Sequence, residues 1–203
     1  INDFPLIPRY AVLDPEVTRT LPPHVTATTG MDALTHAGEA YIGRSTTRET
    51  RADAIEAVRL IFTDLDAACA NGGDMVARSG MLHAAFLAGS AFTKSYVGYV
   101  HAVAHSLGGK YNIPHGLANA VLLPTVLEVY GAAAHKKLHQ LSVAVGLSRA
   151  DEPHAVGAER FIHAIKDMKW RLKIPDTIPE IRREDVPELA RYADKEANPL
   201  YPV

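Results

Sequence analysis

The chain has 203 residues, 47% of them hydrophobic, with a formal net charge of −2 and a pI near 6.6. That hydrophobic fraction argues against disorder, the length suits one domain or one and a half, and the charge gives no basis for nucleic-acid binding or a polybasic membrane contact. A single cysteine, Cys69, rules out an internal disulfide and suits a reducing, cytoplasmic setting, and no apolar run approaches the ~18–20 residues of a membrane span.

The start is rich in proline, and one short piece, Tyr10 to Leu13, reads as an isolated strand or extended arm stopped by Asp14-Pro15. Residues 1–23 are therefore expected as an arm and 24–203 as a helical domain. Pro22-Pro23 opens a short helix that Thr29-Gly30 is expected to break, with a second helix from Met31 to about Gly43. Gly38 within it lowers helix propensity by about 1 kcal/mol relative to alanine. Asp32 and His36, four apart, share a face of that helix. Thr46 or Thr47 caps a long helix to about Ala70, with Ile55, Val58, Phe62 and Leu65 as its buried stripe. Asn71-Gly72-Gly73 stops it. The small residues between Met75 and Phe92 predict a helix at the centre of a bundle, with His83 packed or hydrogen-bonded.

The next stretch, G-Y-V-H-A-V-A-H-S-L-G-G-K-Y-N-I-P-H-G-L-A-N-A-V-L-L-P from Gly98 to Pro124, holds three histidines and one charged residue, Lys110. His101 and His105 lie one turn apart on a helix that Gly108-Gly109 is expected to end, and His115 follows a proline turn. A helix from Leu117 to Tyr130, interrupted or kinked at Pro124, follows, and then one from about Ala132 to Val145. Another begins at Pro153 with Phe161, Ile165, Met168 and Leu172 as its core stripe and Trp170 grouped with them. A last helix is capped by Asp185 and stopped at Asn198-Pro199. His24, His135, His139, His154 and His163 are expected at the surface. The chain thus predicts an all-α, bundle-like domain of about seven to eight helices behind a short extended segment.

Histidine pairs at helical spacing are common as ordinary packed or surface residues. Two such pairs of ligand-type residues, Asp32/His36 and His101/His105, with His115 on a turn nearby, favour a divalent metal, and one oxygen with three nitrogens suits iron or zinc. The metallopeptidase motif H-E-x-x-H is excluded, because Ala102 stands where its glutamate would be. A metal-dependent hydrolase, or a non-catalytic metal-binding or oligomerisation module, stays open on these residues alone.

The runs T-G-M-D-A-L-T-H-A (29–37) and 98–124 resemble the C-terminal, helical half of the iron-dependent (group III) alcohol dehydrogenases. The lead-in 10–23, the Asn71-Gly72 turn and the ending E-A-N-P-L-Y-P-V also look like that family, so the resemblance covers nearly the whole chain. It implies a dehydroquinate synthase-like C-terminal domain with Fe2+, or Zn2+ in its place, on Asp32, His36, His101 and His115. His105 would line the site near substrate and nicotinamide as a proton carrier. It further implies NAD or NADP, a small alcohol or aldehyde substrate, and homo-oligomers. Gly38 departs from the bulkier apolar residue usual in the family. No G-x-G-x-x-G is present, and the chain begins at Ile1-Asn2-Asp3 without an initiator methionine. The family's N-terminal nucleotide-binding α/β domain is therefore expected to be missing, with the chain cut at both ends.

Overall fold

The computed structural model describes Pro8 and residues 10–196. The N-terminal residues, and the expected stop at Asn198-Pro199 with the family-like ending from Ala197 to Val203, lie outside them. Eight α-helices follow a 3-10 turn, Pro15–Thr18, whose first N–H is accepted by Asp14 (Glu16 N–Oδ1 3.0 Å). They are α1 Pro23–Ile42, α2 Arg48–Ala70, α3 Met75–Ser95, α4 Tyr99–Tyr111, α5 His115–Tyr130, α6 Ala132–Ala144, α7 His154–Arg171 and α8 Val186–Glu196. No strand occurs among the described residues. Residues 10–14 have no regular structure, and Tyr10 and Val12 are exposed, so of the two expectations for that piece the strand is not found.

The 20 residues of α1 run unbroken through Thr29-Gly30, which corrects the expected break. Tertiary packing decides the matter there. Gly30 sits under the side chains of Leu65 in α2 and Met81 in α3, where a Cβ would meet Leu65 Cδ2 and Met81 Cε at 3.1 Å each. α1 is buried almost all round, between α2, α3 and α5, and it is the centre of the domain. The small residues of α3 do another job. Ala77, Ala84, Ala88 and Ala91 bring it close to α1 and α2, while its other side faces water with Val76 82% exposed and His83 also exposed. α6 and α7 form an antiparallel pair whose α7 stripe of Phe161, Ile165 and Met168 is buried. Trp170, grouped with that stripe in the sequence, is instead 81% exposed.

α4 also outlasts its expected end. It continues through Gly108-Gly109 and stops at Asn112, which adopts the left-handed conformation (φ 55°, ψ 33°) that Asn tolerates. Its last turn is held from α8's side: Lys110 bonds Asp185 (2.8 Å) and Glu188, and Tyr111 Oη donates to Asp185 (2.5 Å). α2 begins as expected at Thr47, in a reciprocal capping box with Thr50 (Thr50 N to Thr47 Oγ1 3.1 Å, Thr47 N to Thr50 Oγ1 2.9 Å). α5 continues through Pro124 as one helix without interruption. Among the described residues no helix is long and apolar enough to cross a membrane.

His139 corrects another expectation. It is 3% exposed on α6, and neither ring nitrogen has a hydrogen-bond partner. Gly157 of α7 makes the room for its ring, since a Cβ there would stand 2.8 Å from His139 Cγ. The neighbouring lysines do not keep this face in water, since Lys137 turns away to donate to the carbonyls of Ile42 (3.0 Å) and Gly43 (2.6 Å) at the end of α1.

Candidate metal centre

Three helices supply the cluster. Asp32 and His36 stand one turn apart on α1, His101 lies in the first turn of α4, and His115 opens α5 directly after Pro114. Pro114 serves because a helix start needs no N–H from the residue before it. Gly116 then lets α5 touch α1: a Cβ there would stand 2.7 Å from the Thr28 carbonyl oxygen.

One donor atom from each of Asp32, His36, His101 and His115 lies within 4.8 Å of all the others. The Asp32 carboxylate is the hub, with His115 Nε2 at 3.5 Å, His101 Nε2 at 3.7 Å and His36 Nδ1 at 3.9 Å. His36 is stacked between Phe92 (ring centroids 4.3 Å apart) and His101 (4.4 Å). His101 is 1% exposed, whereas the His115 side chain is 41% exposed and forms the open edge. Burial lowers the pKa of His36 to about 4, and burial likewise lowers that of His115, despite the opposing pull of Asp32. Both imidazoles are therefore neutral at pH 7 and keep a lone pair for a cation.

Asn119, one turn after His115, was missed in the sequence, although the same i, i+4 spacing that singled out the other pairs would have found it. Its Nδ2 donates to Asp32 Oδ1 (2.6 Å) and also faces His101 Nε2 (3.1 Å) and His115 Nε2 (3.0 Å). Two amide protons thus serve three acceptors, and the Asn119 Oδ1 is buried without a partner. Converging lone pairs with too few donors fit a divalent cation, and the mix of one carboxylate and three imidazoles suits iron or zinc.

His105 stands outside this set. Its ring stacks on His115 (centroids 5.1 Å), and its Nδ1 lies 2.5 Å from Glu196 Oε1 of α8. Beside it a cavity of about 550 Å³ opens between α4 and α8, lined by Ser106, Lys110, Glu188, Tyr192 and Glu196. Glu39 was also missed. The one acidic residue in the second half of α1, it is 2% exposed and reaches the start of α4, accepting the Gly98 N–H (2.7 Å) and the Val100 N–H (2.7 Å) and contacting His101 Nδ1 (2.6 Å). A carboxylate in so apolar a run was the available signal.

Residues 26–201 match the family described as Fe-containing alcohol dehydrogenase, C-terminal. The chain belongs to that family. It is 41% identical to 1,3-propanediol dehydrogenase of Citrobacter freundii over 194 residues, covering 95% of this chain and 50% of that protein. It is 36% identical to the NAD-dependent methanol dehydrogenase of Bacillus methanolicus over 195 residues, covering 95% of this chain and 51% of that one. The crystal structure of a 1,3-propanediol oxidoreductase superimposes with a TM-score of 0.90 at 40% identity, over 94% of this chain and 50% of its own. The chain thus spans about half the length of the curated relatives it matches, and the all-α architecture is that of the family's C-terminal region.

Proposed function

We propose that Asp32, His36, His101 and His115 hold one divalent cation, Fe2+ with Zn2+ as a substitute. The chain is then the metal-binding helical domain of an NAD(P)-dependent alcohol dehydrogenase that interconverts a small alcohol and its aldehyde or ketone. The convergence of four donor atoms within 4.8 Å, on a fold of this family, carries the reading. The cluster alone suits a hydrolase or a non-catalytic module equally well, and it is the family match that disfavours them. When bound, the cation supplies Lewis acidity to the substrate oxygen, and the nicotinamide accepts or returns the hydride.

The protein's own part is to orient and to move a proton. Asp32 brings the single negative charge to the cluster, and the stacked ring of His36 and the buried ring of His101 close its inner side. The more exposed His115 leaves the approach for substrate. Oxidation of an alcohol to its carbonyl compound would release one proton in addition to the hydride. His105, beside His115 and at the open cavity, takes that proton at its free Nε2 while Glu196 holds its Nδ1, and passes it to solvent. The dinucleotide is bound by a nucleotide-binding domain in the half of the relatives' length that this chain does not span. Exposed apolar side chains such as Val76 and Phe86 suit a homo-oligomer. The lone Cys69 thiol, raised to about 11 chiefly by burial and held inert, suits a cytoplasmic enzyme.

Elemental analysis of the purified chain tests the assignment. Wild type is expected to hold about one divalent ion per chain, and His101→Ala close to none. Equal metal in both would overturn it.

A further inference from the structure

We propose that Glu39 is a positioning residue for the metal centre: it fixes the proton of His101 on Nδ1 and so aims Nε2 at the Asp32–His115 cluster. This rests on the metal-centre reading above and adds a residue to it.

The geometry leaves the carboxylate one use. Glu39 Oε1 accepts the Val100 N–H, and Oε2 accepts the Gly98 N–H, each at 2.7 Å. Both N–H groups belong to the start of α4, where the helix dipole favours negative charge. The third contact, His101 Nδ1 to Oε2 at 2.6 Å, is with an acceptor, so the imidazole must donate. The far side of the ring agrees. Asn119 Nδ2 is identified as the nitrogen by its 2.6 Å bond to Asp32 Oδ1, and it lies 3.1 Å from His101 Nε2, so Nε2 faces a donor with its lone pair. Two independent neighbours therefore select one tautomer. Gly98 is part of the device, because a Cβ there would fall 2.5 Å from Glu39 Oε1. The same carboxylate that starts α4 thus aims its ligand, and helix register and imidazole orientation are set by one group. A carboxylate on the outer nitrogen of a ligating histidine also raises the basicity of the inner one.

A purely structural Glu39 would tie α4 to α1 and do nothing to the proton of His101. Glu39→Gln separates the two roles, since it keeps the shape and replaces one oxygen by a donor. The amide has one oxygen for two places: facing Gly98 and His101 it keeps the Nδ1 proton as a neutral acceptor and opposes the Val100 N–H, and facing Val100 it opposes the Gly98 N–H and drives the proton to Nε2; either way His101 loses the carboxylate's charge. Long-range 1H–15N NMR of the metal-free chain reads that proton directly. Zinc titration against a competing chelator reads the affinity, with far-UV circular dichroism checking the fold.

Expected are an Nδ1–H tautomer at His101 in wild type and, in Glu39→Gln, zinc bound on the order of 10- to 100-fold more weakly because the charge on the outer nitrogen is gone. An Nε2–H tautomer in the wild type overturns the proposal without any variant, which covers the case of a variant that does not fold. Unchanged zinc affinity in a folded Glu39→Gln overturns it while leaving the metal centre standing. Failure of wild type to bind zinc removes the metal centre itself, and the role of Glu39 with it.

Discussion

Gly38 lies buried in α1, yet a Cβ built on it would meet nothing within 4 Å. Glycine there serves no close approach, unlike Gly98 or Gly116, and it weakens the helix that bears Asp32, His36 and Glu39. Gly38→Ala is expected to stabilise the fold by about 1 kcal/mol and raise the melting temperature by roughly 2–4 °C. Thermal unfolding followed by circular dichroism checks this, and a lower melting temperature would mean that the space beside Gly38 is needed. At this scale the ligand-type residues were legible because helical spacing alone puts Asp32 with His36 and His101 with His105. The environment of other single residues was not. His83, His139 and Trp170 took their places from tertiary packing: Gly157 opens room for the His139 ring, and among the described residues no helix packs over Trp170.

Among the elements, those with local stop and start chemistry were readable. Thr47 caps α2, Asp74 caps α3 by accepting from Val76 and Ala77, and Gly146 (φ 77°) follows α6. The continuity of α1 through Gly30 and of α4 through Gly109 was not, because each depends on a helix packed against it. α8 shows the second case. It lies against α4 through Ala102 and Ala193, and is tied by Lys110 to Asp185 and Glu188. The Lys110 bond, with those of Tyr111 and Arg182, lowers the pKa of Asp185 from 3.8 to about 2, and Lys110 lowers that of Glu188. Carboxylates depressed in the folded state stabilise it above their unfolded values and lose that contribution as pH falls through their folded ones. The α4–α8 contact should therefore hold at pH 5 and loosen progressively towards about pH 2. Protection of the α8 amides, taken relative to the intrinsic exchange rate at each pH, is expected to fall over that window ahead of α1, and Lys110→Met should show low α8 protection already at pH 5. Protection of α8 that does not depend on pH or on Lys110 would contradict this.

For the whole molecule, the helical class and the family were both legible, since the histidine-rich run and the T-G-M-D-A-L-T-H-A segment are continuous stretches of sequence. The proposed division of labour makes one further prediction. Hydride transfer needs the reacting atoms held at roughly 3–3.5 Å in a set orientation. The described residues contain no strand, and so no glycine-rich turn between a strand and a helix to cradle a pyrophosphate. Calorimetric titration of the chain with NADH and NADPH is expected to show no binding in the micromolar range. Micromolar binding would place the cofactor site within these residues and undo the division.

The position of Trp170 bears on how such experiments can be read. It is the only tryptophan in the chain, and it already stands in water, 81% exposed, while the protein is folded. Its fluorescence in the native state is therefore close to that of a solvated indole, and unfolding gives it little new water to meet. Tyr41 and Tyr130, at 4% and 3% exposure, undergo the larger change of surroundings. A flat tryptophan emission trace through a denaturant series is thus the signature of an indole that was never inside, and tyrosine absorbance reports the loss of the core.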